Sequence, residues 1–312
     1  MNMFLFVLFV VLIIFSQNAS AHLKWFVDSE QLIQSDIQYS LSSVEVIISI
    51  LLCLVCILFA FFLNRKITFC VKFSMTSKEK ILRVFLILIG FFLLSASYSE
   101  TILAAHYMVT NPLLLILQYA QAIVGLMLIF NLLTTYAAFA LIGIYILLGT
   151  QFGMLEVLDY LNILGVALFL VFNNSKDEQM DFAVPVIRVL TGAALVVLAF
   201  SEKLLNPNFG LNFLAANDWN FMKTFGMTNY SNELFILSAG FVELLIGILF
   251  ILGLITRINT IVLLSFMVTS NIVFFYQNSA SNAWVELAGH LPVIAIALIL
   301  LSSGAGQKWR LN

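Results

Sequence analysis

The chain has 312 residues, of which 62% are hydrophobic and only 10% charged, with a formal net charge of −2. Ordinary soluble domains carry roughly a quarter charged residues, so a soluble fold could not hide this much apolar surface, and the bilayer is the expected solvent. The slight negative balance argues against nucleic acid as a partner, because phosphate binding needs a concentrated excess of Lys and Arg.

The N-terminus has the pattern of a signal peptide over residues 1–21: an apolar core from Met3 to Phe15, then Ser16-Gln17-Asn18, then Ala19-Ser20-Ala21 as an A-x-A site. Cleavage leaves His22 first. No Lys or Arg precedes the apolar core, so an uncleaved anchor stays open. Residues 22–80 then hold a mixed polar and aromatic outer segment, a span near 44–63 and a basic loop with Arg65, Lys66, Lys72, Lys78 and Lys80. Further spans are expected near 81–99, 112–133, 134–149, 156–172, 183–201, 234–255, 258–276 and 287–303, each about the length needed to cross a hydrocarbon core of about 30 Å. An outer loop is expected over 202–233.

With His22 outside, these crossings leave only Lys24, Lys203 and Lys223 of the fourteen basic residues on the outer side. Retention of Lys and Arg in the cytoplasm therefore predicts the cell inner (plasma) membrane, with the mature N-terminus outside and the C-terminus cytoplasmic.

An internal repeat organises the rest. Gln121 to Thr134 lies over Glu243 to Thr256 without a gap, Glu156 to Asn162 lies over Glu286 to Pro292, and Arg83 and Arg188 each open a unit. The expected fold is all-α: two parallel-oriented four-helix transmembrane bundles, residues 81–172 and 183–303, plus one preceding transmembrane helix.

Polar residues inside the spans are the candidates for chemistry. Glu243 falls about nine residues inside its span, roughly 13 Å from the outer end at 1.5 Å per residue, where a carboxylate is costly and either functional or held by a neighbouring helix. Glu286 and His290, four apart, share a helix face and either orient one another, hold a metal ion or anchor the interface. His22, with its amino group, His106, Glu286 and His290 are the candidate ligands for a copper-like ion, because α-amine and imidazole together chelate Cu(II). Cys53-Leu-Val-Cys56 sits mid-membrane, where a thiolate is disfavoured and two small apolar side chains are the simpler reading; the three cysteines of the chain are too few for a disulfide framework. Arg83, Arg188 and Arg257 lie near inner ends, placed to snorkel to headgroups or to meet a quinone or lipid headgroup.

Arg188, Phe200-Ser-Glu-Lys203-Leu-Leu-Asn-Pro207, Glu243-Leu-Leu-Ile-Gly247, Leu254-Ile-Thr-Arg257 and Glu286 together resemble the DoxX/DoxD-like membrane proteins. The resemblance spans 183–303; in 81–172 Gln121 replaces the Glu, Thr135 the Arg, and no Lys-Leu-x-x-Pro is present. It implies a four-helix membrane bundle and, for some relatives, a quinone- or thiol-linked oxidoreductase component; Arg188, Lys203, Glu243, Arg257 and Glu286 match the family pattern, with Glu243 as proton-handling residue. A quinone or a metal ion is then the expected cofactor, and the bilayer and a partner protein subunit are the expected partners. A binding or transport module for a metal ion or small solute, and a non-catalytic assembly factor, remain the alternatives.

Overall fold

A computed structural model of the protein describes residues 39–66, 75–174, 180–217, 219–277 and 280–311. The expected signal peptide, His22, Lys24, Cys70, Lys72 and Lys176 lie outside the described residues. Among those described, nine helices are long and apolar enough to cross a membrane. Expressed in chain order, the helices are α1 (Val44–Lys66), α2 (Met75–Tyr98), α3 (Pro112–Ile129), α4 (Thr134–Phe152), α5 (Leu161–Asn173), α6 (Met180–Ala199), α7 (Pro207–Asn217), α8 (Phe221–Thr224), α9 (Asn232–Leu252), α10 (Thr256–Tyr276) and α11 (Ala280–Ser303).

Local sequence sets the helix ends. Asn111 caps α3, accepting from Leu114 N–H at 3.0 Å, with Pro112 in the first helical position, where its missing N–H costs nothing. Ser231 caps α9 in the same way, and Gly253 ends that helix in the left-handed conformation at φ 70°. Leu133 and Ile255, the residues immediately before α4 and α10, are also left-handed, at φ 46° and 38°. A β-branched residue there is strained, and Ile255 is held by its N–H donating to Asn64 Oδ1 at 3.0 Å, which also ties α1 to this turn.

Packing runs round a closed ring: α2, α3, α4, α5, α6, α9, α10, α11 and back to α2. The two four-helix segments therefore share one continuous apolar core, extending from Phe85 and Tyr107 through Phe169 to Phe250 and Leu300. α1 stands outside the ring against α9, and most of its large apolar side chains, such as Leu51, Val55 and Phe62, face outward as a lipid-contacting surface requires. Glycine pairs allow the closest approaches. A Cβ on Gly90 would lie 2.6 Å from Gly125 O, and one on Gly192 would lie 2.6 Å from Gly247 O, so α2 meets α3 and α6 meets α9 backbone to backbone.

Two segments outside the spans carry order that the hydropathy pattern does not announce. Residues 101–108 form a two-stranded antiparallel ribbon, Thr101–Ile102 and Ala104–Met108, tucked against α3 and α11. Gln121, fully buried on α3, holds it by accepting from Leu103 N–H at 2.8 Å and donating to Thr101 O at 3.2 Å. In place of an open loop, residues 207–224 form α7 and α8 around an aromatic cluster. Trp219 packs on Phe274 at 4.5 Å between ring centres and edge-on to Phe213 at 5.1 Å, which caps the ends of α9 and α10.

The glycine contacts give a direct test. Gly247→Val should destabilise the protein by about 1–3 kcal/mol through overpacking, read as earlier thermal unfolding in detergent. Gly143→Val, at a position with nothing within 4 Å, should leave unfolding unchanged.

Candidate functional site

The last turn of α6 widens into a π-helical turn, Phe200–Leu204, closed by Leu205 N–H donating to Phe200 O at 3.0 Å. Such turns recur at functional sites because they re-aim side chains. Here the turn buries two adjacent charged residues, Glu202 and Lys203, each only 1% exposed. Gly240 on α9 makes room for the Lys203 stem, since a Cβ there would lie 3.1 Å from Lys203 Cβ. One turn further along α9, Glu243 Oε2 accepts from Lys203 Nζ at 2.8 Å.

This ion pair is not isolated. Lys203 also lies in the field of Glu202 and of Asp159, which enters from the 3₁₀ turn Glu156–Tyr160 ahead of α5. Ser201 Oγ donates to Asp159 Oδ1 at 3.1 Å. On α11, Glu286 is fully buried and accepts from Ser270 Oγ at 2.6 Å, while His290 Nδ1 stands 3.4 Å from Glu286 Oε1, an ion-pair distance if the imidazole is protonated. His290, Glu243, Glu202, Asp159 and Asn162 all line one cavity of about 40 Å³ enclosed by α5, α6, α9, α10 and α11. A water needs about 10–15 Å³ of such space, so the cavity has room for a few waters.

A second, apolar cleft of about 250 Å³ opens between α1, α9 and α10. Cys53 and Cys56 line it, and Cys53 Sγ donates to Phe241 O at 3.6 Å. Val242 and Ile246 line both spaces, so a wall one side chain thick separates this cleft from the Glu243 cavity.

Of the residues matched to the family pattern, Lys203 and Glu243 form the pair, and Glu286 stands beside His290 in the adjoining helix. Arg188 is elsewhere, about 22 Å back along α6 at 1.5 Å per residue. Its guanidinium donates to the carbonyls of Phe250 and Ile251 at the end of α9 and to Ala305 and Trp309 beyond α11. Arg257 likewise donates to Leu301 O at 2.8 Å and Ser302 O at 3.0 Å. Both arginines thus satisfy carbonyls left open at helix C-termini, with charge of the sign the helix dipole favours.

His106 lies on the ribbon, its ring 4.1 Å from that of Tyr107 and 5.7 Å from that of Tyr160, and is not brought to Glu286 and His290 in a ligand set. Among the described residues, no three His, Cys, Asp or Glu side chains group as a metal centre. Tyr107 OH donates to Glu156 O at 2.9 Å; burial, with Asp159 and Glu156 nearby, pushes its phenol up, so it stays a neutral donor. The sequence pattern does not single out Asp159, Asn162 or Glu202. The available signals are an Asp at the start of an apolar span and a Glu directly beside the motif lysine.

Breaking one side of a buried ion pair leaves an uncompensated charge at a cost of about 3–5 kcal/mol. Lys203→Met and Glu243→Leu should each lose stability on that scale, whereas the double variant should lose far less than their sum in a thermal unfolding cycle. Additive losses would show that the two groups are not coupled.

Residues 183–276 match the DoxX family. That segment runs from α6 through α10 and contains both members of the Lys203–Glu243 pair, while Asp159, Asn162, Glu286 and His290 come from outside it. No curated protein and no solved structure matches the chain. With its DoxX segment set among these membrane-spanning helices, the chain is a DoxX-like multi-pass membrane protein.

Proposed function

We propose that the protein is the proton-handling membrane component of a quinone- or thiol-linked oxidoreductase, with the Lys203–Glu243 pair as its working group. The observation that carries this reading is a buried, coupled acid–base pair opening on a water-sized cavity that three further ionisable residues approach. Intramembrane ionisable groups are retained where charge or protons must move, because leaving them in hydrocarbon is costly. Glu243 accepts a proton as Lys203 keeps its own, and His290 and Asp159 lie along the same cavity to receive or resupply it through water. The excess of carboxylates over Lys203 disfavours an anionic sulfur substrate in this cavity and favours neutral molecules and protons.

A lipid-soluble quinone is the substrate class that fits the surroundings. Its reduction to a quinol takes up two electrons and two protons, and the apolar cleft behind Val242 and Ile246 offers an approach from the bilayer to within one side chain of the Glu243 cavity. The chain has no sequence signature of haem, flavin or iron–sulfur ligation, so a partner subunit supplies the electrons.

The 81–172 and 183–303 units are, on this reading, divergent copies with different duties. The paired glycines Gly90/Gly125 and Gly192/Gly247, and the left-handed Leu133 and Ile255, support the correspondence. Gln121 stands where Glu243 does but binds backbone, so the first unit supports and the second works. The cavity belongs to the outer half of the cell inner membrane, with the mature N-terminus outside and the C-terminus cytoplasmic.

Copurification from the native membrane should yield bound quinone and quinone-dependent turnover with the partner. Glu243→Gln should lower turnover about 10²–10⁴-fold, the usual worth of a general acid–base group, while leaving quinone content unchanged. Infrared difference spectra on quinone reduction should show a carboxyl band that Glu243→Gln removes. A native preparation with neither bound quinone nor quinone-dependent turnover overturns the proposal.

A further inference from the structure

Arg83 and Arg188 open the two units, but they are bonded differently. Arg188 donates to the carbonyls of Phe250 and Ile251 at the end of α9 and to the tail beyond α11. Arg83, half-buried on α2, has no hydrogen bond or ion pair among the described residues, and its Nη1 is sealed from solvent without an acceptor. The glycine crossings explain the difference. A Cβ on Gly90 would meet Gly125 O at 2.6 Å and Ile129 N at 3.2 Å, and one on Gly192 would meet Gly247 O at 2.6 Å and Ile251 N at 3.0 Å, so the crossings match with Ile129 in the place of Ile251. Arg188 lies four residues before Gly192, whereas the residue four before Gly90 is Leu86 and Arg83 lies seven before it. Steps of four and of seven both return to one face of a helix, so Arg83 keeps the α3-facing side but stands roughly 4.5 Å further toward the start of α2. It overshoots the last carbonyls of α3.

We infer that Arg83 binds the phosphate of an anionic phospholipid at this end of the bundle. A guanidinium presents a planar fork of donors that matches phosphate oxygens two at a time, and leaving it without an acceptor forfeits charge-assisted hydrogen bonds. Because α3 is a membrane-spanning helix, the level just beyond its last turn is that of headgroups rather than of acyl chains. Lys80, three residues before Arg83 and on the same side of α2, is exposed and adds a second cation. Glu79, four residues before Arg83, is also exposed and among the described residues forms no ion pair with it. Apolar side chains are exposed alongside: Val84 at 45% next to Arg83, and Phe130 and Leu133 at 63% and 65% in the turn between α3 and α4. Acyl chains can use that surface and a free phosphate cannot, which selects the lipid. The inference uses neither the Lys203–Glu243 pair nor its cavity, so it stands or falls apart from the redox reading.

The test is thermal unfolding of the purified, delipidated full-length protein in neutral detergent, titrated with phosphatidylglycerol, phosphatidylcholine or inorganic phosphate. Phosphatidylglycerol should raise the unfolding temperature saturably, as a ligand of the native state does. Phosphatidylcholine, whose phosphate is paired with its own ammonium, and inorganic phosphate should not. Arg83→Gln should weaken the apparent affinity for phosphatidylglycerol about tenfold, the worth of charge-assisted hydrogen bonds to one phosphate. Arg83→Lys, which keeps the charge but loses the fork, should fall between, and Lys66→Gln, at the end of α1, should change nothing. Without lipid, Arg83→Gln should unfold no earlier than the native protein, because no internal bond is lost. Should Arg83→Gln not be obtained in quantity, native mass spectrometry of the native protein and of Arg83→Lys reads the same preference as retained lipid. Equal stabilisation by phosphatidylcholine or by inorganic phosphate overturns the inference. So does a phosphatidylglycerol response that is unchanged in Arg83→Gln or equally weakened in Lys66→Gln, and so does earlier unfolding of lipid-free Arg83→Gln.

Discussion

Burying an ammonium and a carboxylate among membrane-spanning helices is unfavourable unless each completes the other, and that constraint shapes the second half of this molecule. The 2.8 Å contact between Lys203 and Glu243 requires a turn that swings Lys203 inward, and α6 supplies it by widening its last turn. It requires space on the opposing helix, and Gly240 supplies that. It requires shelter from bulk water, and the α7–α8 cap with its Trp219–Phe274 contact closes the end above. None of these features explains itself. Each is what the ion pair demands of its neighbours.

The contrast between Gln121 and Glu243 shows how one position can be put to two uses. Both sit buried on a helix that meets its predecessor through a glycine pair. The neutral amide has donors and acceptors enough to clamp a backbone ribbon and leaves nothing free for chemistry. The carboxylate can only accept, so it needs a cation, and with that cation comes the possibility of moving a proton. A one-atom difference in the side-chain head thus separates a rigid strut from a titratable centre.

Much of this was legible from the sequence, because span positions depend on local apolar runs and Glu243 is a polar exception within one of them; Lys203 fell in the expected outer loop and stood out only through the family pattern, and its burial comes from packing. The ring was not, since the contact of α2 with α11 joins segments from opposite ends of the described chain. Asp159 and Glu202 escaped for a related reason: an acid near a helix end is unremarkable until tertiary packing turns it inward. The 207–224 cap carries its order in scattered aromatics rather than in a periodic stripe. His106 and His290 are candidate ligands of one ion in the sequence reading, but the ribbon and α11 hold them in different surroundings. Arg188 and Arg257, prominent in the motif, are spent on main-chain carbonyls that no linear pattern displays.

The ring also sets an order of assembly. α2 exposes the face that packs on α11 from the moment it enters the membrane, and some 180 residues must be made before that helix arrives; at roughly 5–20 residues per second this is a wait on the order of ten seconds or more. During it, the Arg188 guanidinium lacks the carbonyls of Ala305 and Trp309 that later receive it. The arginine that fastens the C-terminal tail thus acts as a latch on biogenesis as much as on the finished molecule.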